Sequence, residues 1–243
     1  MNPPHDEPLT NRNSYPGNLP QALEREKLAR LTDLIAERFG EPPRVYKAGR
    51  YGVGPSTAGI LDELGYEIDT SVVPQTDFSA EEGPDFRGCG GDPYRFGPGG
   101  RLLEIPMTVG FAGRLAEAGN RLHRPLQSAP GLRLRLPGIF SRLGLFERLR
   151  LTPEGHSFQE MRRLTQALLW RGQRVFSFTY HSPSLEPGWT PYVRSTADLE
   201  VFLASFEAYF AYFMGELGGT AATAREIGAA FAPSPRASTA RAA

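Results

Sequence analysis

Residues 174–183 read RVFSFTYHSP, and no other stretch of the chain says as much about its fold. Val175, Ser177 and Thr179 alternate with Phe176, Phe178 and Tyr180, so both faces of the run are largely suited to burial. A strand covered on both sides belongs in a parallel sheet flanked by helices. The run delivers His181 to the point where strand gives way to loop. Strand carboxyl ends face the catalytic mouth in βα architectures, and an imidazole there exchanges protons near neutral pH. The same position equally suits a histidine hydrogen-bonded inside a loop.

Helical and strand patterns alternate on either side. Just upstream, residues 156–172 carry Phe158, Met161, Leu164, Leu168 and Leu169 on one helical stripe. Downstream, residues 195–217 form a helix opened by Ser195 and Asp198 as a capping box and closed by Gly218. Nearer the amino terminus, a helix over 19–39 is stopped by Gly40 and Pro42–Pro43, and a strand over 44–47 follows. Residues 55–64 then form a helix ending at Gly65, and 66–73 (YEIDTSVV) a strand closed by Pro74. Residues 102–105 read as a strand, 113–122 as a helix, 132–136 as a strand and 139–149 as an amphipathic helix. Between 75 and 100 lies a loop crowded with Gly, Pro, Asp and Glu, long enough to suggest a lid or substrate wall.

The 243 residues suit one domain with a substantial core over 1–218, followed by an Ala/Thr/Pro-rich tail over 219–243 that is expected to be flexible. Equal numbers of basic and acidic residues, 27 each, argue against nucleic acid or an anionic membrane as a partner. No apolar run is long enough for a transmembrane segment, and the opening MNPPHDEP lacks an export pattern, so the default localisation is cytoplasmic. The lone Cys89, within GCGGD, excludes an internal disulfide and reads as a loop thiol rather than a nucleophile.

Few residues outside the opening stretch carry obvious chemistry. Lys47 and Arg50 of YKAGRYG sit where a strand opens into a helix start. That place suits a carboxylate or anionic intermediate, or simply a turn with two solvated cations. Asp69, near the end of the YEIDTSV strand, either orients an imidazole or caps a turn. Arg133, Arg135, Arg142, Arg148 and Arg150 read as a solvated face, and the aromatic run FEAYFAYFMGEL as core packing.

The succession YKAGRYGVG, LGYEIDTSVVP, LLEIPMT, GHSFQEMRRL and RVFSFTYHSPSLEPG with PYVRS resembles the later two thirds of a polysaccharide deacetylase of the NodB-homology type. Within that group it is similar to the bacterial WalW-like proteins, from Asn2 to Gly218. The resemblance implies an α/β fold, an incomplete (β/α) barrel missing its first strand or strands, and hydrolysis of the N-acetyl amide of a carbohydrate substrate. It implies a divalent, zinc-like metal that polarises the acetamide carbonyl and activates water, with an Asp as base and a His as acid. His181 matches the late-strand acid, and Asp69 is similar to the aspartate that steadies it, although IDTS replaces a tryptophan-bearing pattern. Lys47 or Arg50 corresponds to the cation that holds the base, with Lys47 at the usual arginine's place, where it forms a poorer fork. Residues 102–106 resemble the strand lining the acyl pocket, which makes Pro106, Tyr51 and Ser182 the substrate-binding candidates.

The sequence departs from the family in its early motifs. An aspartate-pair strand and a histidine cluster ending in His-Pro do not occur, and would lie directly before Asn2. The four histidines, His5, His123, His156 and His181, are not within ligand spacing of one another, so no metal ligand is assigned. Loss of the first strands would leave an unpaired edge and an exposed apolar face, and with them marginal stability or self-association through the open barrel edge. With the base and metal-ligand motifs missing, the hydrolase activity that the resemblance implies is expected to be impaired or absent, and two other roles stay open: a catalytically silent carbohydrate-binding protein, and an interaction subunit completed by a partner that donates strands.

Overall fold

Helix α1 (Gln21–Phe39) ends at Gly40, whose φ of 83° supplies the left-handed residue that closes a helix. The coordinates are a computed structural model that describes residues 4–231. Strand β1 (Val45–Tyr46), helix α2 (Thr57–Glu63) and strand β2 (Ile68–Asp69) follow as a parallel βαβ unit. Strand β3 (Tyr94–Phe96) lies at the other edge, antiparallel to β4 (Leu102–Glu104), which itself runs parallel to β2. The sheet order is β1-β2-β4-β3.

Register divides this sheet into two chemically different faces. Tyr46, Asp69 and Glu104 stand side by side on one, and Val45, Ile68 and Leu103 on the other. The first face lies under α1 and α2, where Tyr46 packs with Leu28, Ile60, Leu61 and Leu102. The opposite face buries Ile68, Leu103 and Ile105 against Val175 and against Ala224 and Ile227 of a short helix late in the chain.

A second, two-stranded sheet follows. Strand β5 (Val109–Ala112) pairs antiparallel with β6 (Glu147–Arg150), and helices α3 (Gly119–Leu126), α4 (Ala129–Arg133) and α5 (Leu136–Arg142) fill the connection. Helix α6 (Phe158–Trp170), opened by a Ser157–Glu160 capping box, lies across β5. Gly110 permits that approach, because a methyl group there would meet Leu168 Cδ2 at 2.9 Å. Helix α7 (Thr196–Phe210) packs on α6, with Thr165 Oγ1 2.9 Å from Tyr209 OH, and runs into a π-helical turn at Ala211–Glu216. Helix α8 (Ala224–Ala230) ends the described chain. The architecture is mixed α/β, with two small sheets among the described residues and neither closed into a barrel.

Several elements differ from the sequence expectation. The strand expected over 132–136 is the junction of α4 and α5, where Ser128 caps the first helix and Pro130 and Pro137 start each one. Local caps and prolines outweigh a five-residue alternation of Leu and Arg. The helix expected over 139–149 stops at Arg142, since Gly144 turns left-handed at φ 63° and releases 147–150 into strand β6. Helix α3 begins later than expected, after a 3-10 turn at Ala116–Ala118. Within the tail expected to be flexible from residue 219, residues 224–230 form α8 against β2, while 232–243 lie outside the described residues. Helix α8 covers the apolar face formed by Ile68, Leu103 and Ile105.

Residues 174–181 also depart from a regular strand. The alternation holds in space: Phe176 and Phe178 face the aromatic rings of α7 and its continuation, and Val175 faces the sheet. The ladder does not form. Ser177 N–H donates to Thr108 Oγ1 (2.7 Å), Ser177 Oγ donates to the Pro106 carbonyl (2.9 Å) and Thr179 N–H to the Leu151 carbonyl (3.2 Å). Pro106 has no N–H to offer, and side-chain oxygens replace backbone partners.

Candidate acid–base site at His181

The extended segment places His181 on the surface, with 70% of its side chain exposed. Its Nδ1 lies 2.6 Å from Glu154 Oε2, and its backbone N–H donates to Glu154 Oε1 at 2.9 Å. Glu154 is buried and accepts a third hydrogen bond, from Ser184 Oγ at 2.5 Å. Ser184 Oγ stands 3.0 Å from Thr190 Oγ1. One carboxylate thus ties together the end of 174–181, the 3-10 turn Ser182–Leu185 and the loop that follows.

This arrangement fixes the ring and its tautomer. A buried carboxylate at Nδ1 holds the Nδ1 proton and leaves Nε2 to exchange protons with whatever sits before it. Two other histidines, His123 and His156, are half-buried. His123 and His156 line a cavity of about 420 Å³ with Glu147, Arg148 and Glu160. Burial lowers both of their pKa values below the ordinary histidine range, and Arg148 adds to the effect at each.

The expected partner of His181, Asp69, is elsewhere: the imidazole takes Glu154 instead. Asp69 is buried beside Glu104, with a side-chain hydrogen bond between the two, and accepts from the Ser71 hydroxyl and the Ser71 N–H. Glu104 Oε1 accepts the Val72 N–H at 3.0 Å. Burial, followed by the charge of Asp69, pushes Glu104 up to about 9, and burial raises Asp69 as well. Two adjacent carboxyls out of water share a proton.

Lys47 joins that second cluster. Its Nζ donates to the Thr70 carbonyl at 2.9 Å and sits 5.1 Å from the Tyr51 ring centre. Arg50 points away and binds Asn11 Oδ1 (2.8 Å), Ser14 Oγ, Tyr15 OH (2.9 Å) and Glu81 Oε2 (2.8 Å). Those bonds offset a strained turn, since Arg50 and Tyr51 both carry positive φ, 53° and 61°. Tyr51 stacks on Phe78 at 5.8 Å. Pro106 is buried next to the 174–181 segment, and Ser182, exposed, begins the turn after His181.

Two groupings therefore emerge from the candidate residues: His181 with Ser182, and Lys47 with Asp69 and Tyr51. Glu154, Ser184 and Thr190 escaped sequence reasoning. A signal for Glu154 existed, because it follows a strand end as His181 does, but residues 147–150 read as helix and hid that strand. Comparison of the chain with protein-family models, curated proteins and solved structures found no match. What the site can do follows from its own side chains.

Proposed function

We propose that this chain is a polysaccharide-deacetylase-like amide hydrolase domain, an incomplete (β/α) barrel of the NodB-homology type acting on the N-acetyl group of a sugar. The observation that supports it is the exposed His181 ring, held through Nδ1 by buried Glu154 at the end of a two-faced extended segment. In amide hydrolysis a water oxygen bonds to the carbonyl carbon, the C–N bond breaks, and the nitrogen must take a proton to leave as an amine. In this scheme His181 Nε2 takes the proton that the attacking water loses and passes it to the departing nitrogen, while Glu154 stabilises the imidazolium between the two transfers. Tyr180, the preceding residue, lines an aromatic-walled cavity of about 740 Å³ on the α7 side of the segment, and His181 is not among its lining residues.

The resemblance also implies a divalent, zinc-like ion. Among the described residues no three His, Cys, Asp and Glu side chains stand close enough to share one. The residues that are described do not fit the ion, and no step here passes through it. That observation favours a second reading, a carbohydrate-binding protein without turnover. Self-association through an open edge belongs to the same proposal. Among the described residues no helix is long and apolar enough to cross a membrane.

Acetate release from N-acetylated chitooligosaccharides, with metal content measured on the same sample, tests the hydrolase. Release that His181→Ala abolishes supports it. Saturable binding with no acetate from either protein replaces it with the silent binder.

A further inference from the structure

Among the described residues, two neighbouring arginines on strand β6 have no carboxylate partner. Arg148 and Arg150 belong to the arginine stripe that reads from the sequence as a solvated face, yet both are half-buried. By the two-residue period of a strand they share one side with Phe146. Register sets Arg148 opposite Phe111, which packs on Phe146 at 5.0 Å and on the His123 ring at 5.4 Å. Arg148 Nη2 donates to the Thr76 hydroxyl. Burial, followed by the charge of Arg150, lowers the pKa of Arg148 to about 10. Two like charges held partly out of water are costly unless something negative joins them.

The cavity of about 420 Å³ that Arg148 lines has room for such a group. Phe146 and Arg148 line it from one side of the strand and Glu147 and Leu149 from the other, so it runs along the edge of β6 that β5 leaves unpaired. His123 and His156 line it too, and the Arg148 charge acts on both rings. The two carboxylates on its wall are already engaged. Glu147 accepts from Arg163 Nε and from Ser141 Oγ, each at 2.9 Å, and Glu160 accepts from the Ser157 N–H at 2.7 Å and its hydroxyl at 2.6 Å. With Arg163 included, three guanidinium groups stand against two carboxylates, and the excess is positive.

A phosphate monoester fits this chemistry better than a carboxylate. Near neutral pH it carries a charge of about −1.5 to −2, and its oxygens accept from guanidinium groups in pairs. A carboxylate brings a single charge to two arginines. An organic group on the phosphate can lie on Phe146 and Leu126, the apolar part of the wall. We infer that the β6 edge binds the phosphate of a small phosphomonoester, held by Arg148 and Arg150 with His123 and His156 at its margin. The site goes beyond the hydrolase reading and does not depend on it, because the cavity lining includes neither His181 nor Glu154.

The test titrates the whole chain with phenyl phosphate, inorganic phosphate and benzoate in a phosphate-free buffer at pH 7.5, read by calorimetry and melting temperature. Phenyl phosphate should bind saturably and, at about a hundredfold excess over its Kd, raise the melting temperature by roughly 5–10 °C. Inorganic phosphate should compete with it, and benzoate should bind roughly tenfold more weakly or worse. Arg148→Met should lose roughly tenfold in affinity or more, and Arg150→Met about threefold. A readout on the unaltered chain needs no variant to fold: proton NMR should show the ring signals of His123 and His156 moving with phenyl phosphate while those of His181 stay in place. No binding of phenyl phosphate at about 10 mM, wild-type affinity in Arg148→Met, benzoate binding as tightly as phenyl phosphate, or a shift confined to His181 overturns the site.

Discussion

Replacing Glu104 with glutamine should flatten the pH dependence of stability, and the reason lies in the sheet register. Asp69 and Glu104 are direct neighbours on β2 and β4, 2% and 1% exposed, and burial pushes Glu104 up to about 9. The folded state therefore keeps a proton on the pair at neutral pH that the unfolded chain has already released. Because the folded pKa is raised, this contribution is largest below the unfolded value and is lost as pH rises toward the folded one. One extra bound proton gives a slope of about 1.4 kcal/mol per pH unit, so stability falls by about that amount between pH 7 and 8. For a chain of this size the melting temperature should drop by roughly 3–6 °C over that unit. Lys47, Tyr46, Tyr94 and Cys89 also face the pair, but both proteins carry them, so they cancel in the comparison. Glutamine preserves the geometry: its oxygen accepts the Val72 N–H and its amide donates to Asp69. Urea denaturation at pH 7, 7.5 and 8 on both proteins is the assay. Equal slopes would refute the shared proton. A Glu104→Gln variant that loses more than about 3 kcal/mol at pH 8 would refute it differently, by showing an ionised Glu104 paired with Lys47.

Other expectations concern the site and its supports. Glu154→Ala should lower any His181-dependent turnover by about 10²–10⁴-fold, and nitrogen NMR should show the imidazole tautomers mixing where the wild type holds the proton on Nδ1; an unchanged tautomer would separate Glu154 from the ring. Gly17→Ala should destabilise by about 1–3 kcal/mol, because the Gly17 backbone lies directly on Gly54 and its N–H donates to Gly52 at 2.7 Å, leaving no room for a methyl group. A wild-type melting temperature for that variant would mean the amino-terminal segment lifts off freely. Deletion of 219–243 should uncover Ile68, Leu103 and Ile105 and raise the sedimentation weight with concentration. A stable monomer after deletion would show that α8 is not what protects that face.

How much of this was legible in advance varies by element, and caps account for much of the difference. Helices α1 and α7 carry their stop and start signals, Gly40 and the Ser195–Asp198 box, inside the sequence, and both form close to the expected bounds. Helix α8 has a capping box as well, Thr223 with Glu226, yet its composition of Ala, Thr and Pro reads as a tail. It has too few apolar residues to fold by itself and is held by Ile227 and Ala224 on a face made much earlier in the chain, at Ile68, Leu103 and Ile105. Strand β6 failed for the complementary reason. Ile139, Leu143 and Phe146 share a helical spacing, and only pairing with Val109–Ala112 makes 147–150 a strand.

The sequence by itself determined the alternation of helices with short apolar runs, the two-faced character of 174–180 and the delivery of His181 to the end of that run. Those properties are local: side-chain shape, period and turn residues set them within a few positions. Only the tertiary structure decided which carboxylate His181 meets. Asp69 and Glu154 are both acids near strand ends, but β-sheet register turns Asp69 inward against Glu104, while the turn after β6 brings Glu154 under the imidazole. Hydrogen-bond partners far apart in sequence are chosen by how strands pair and which face each side chain takes, and no local pattern encodes that choice.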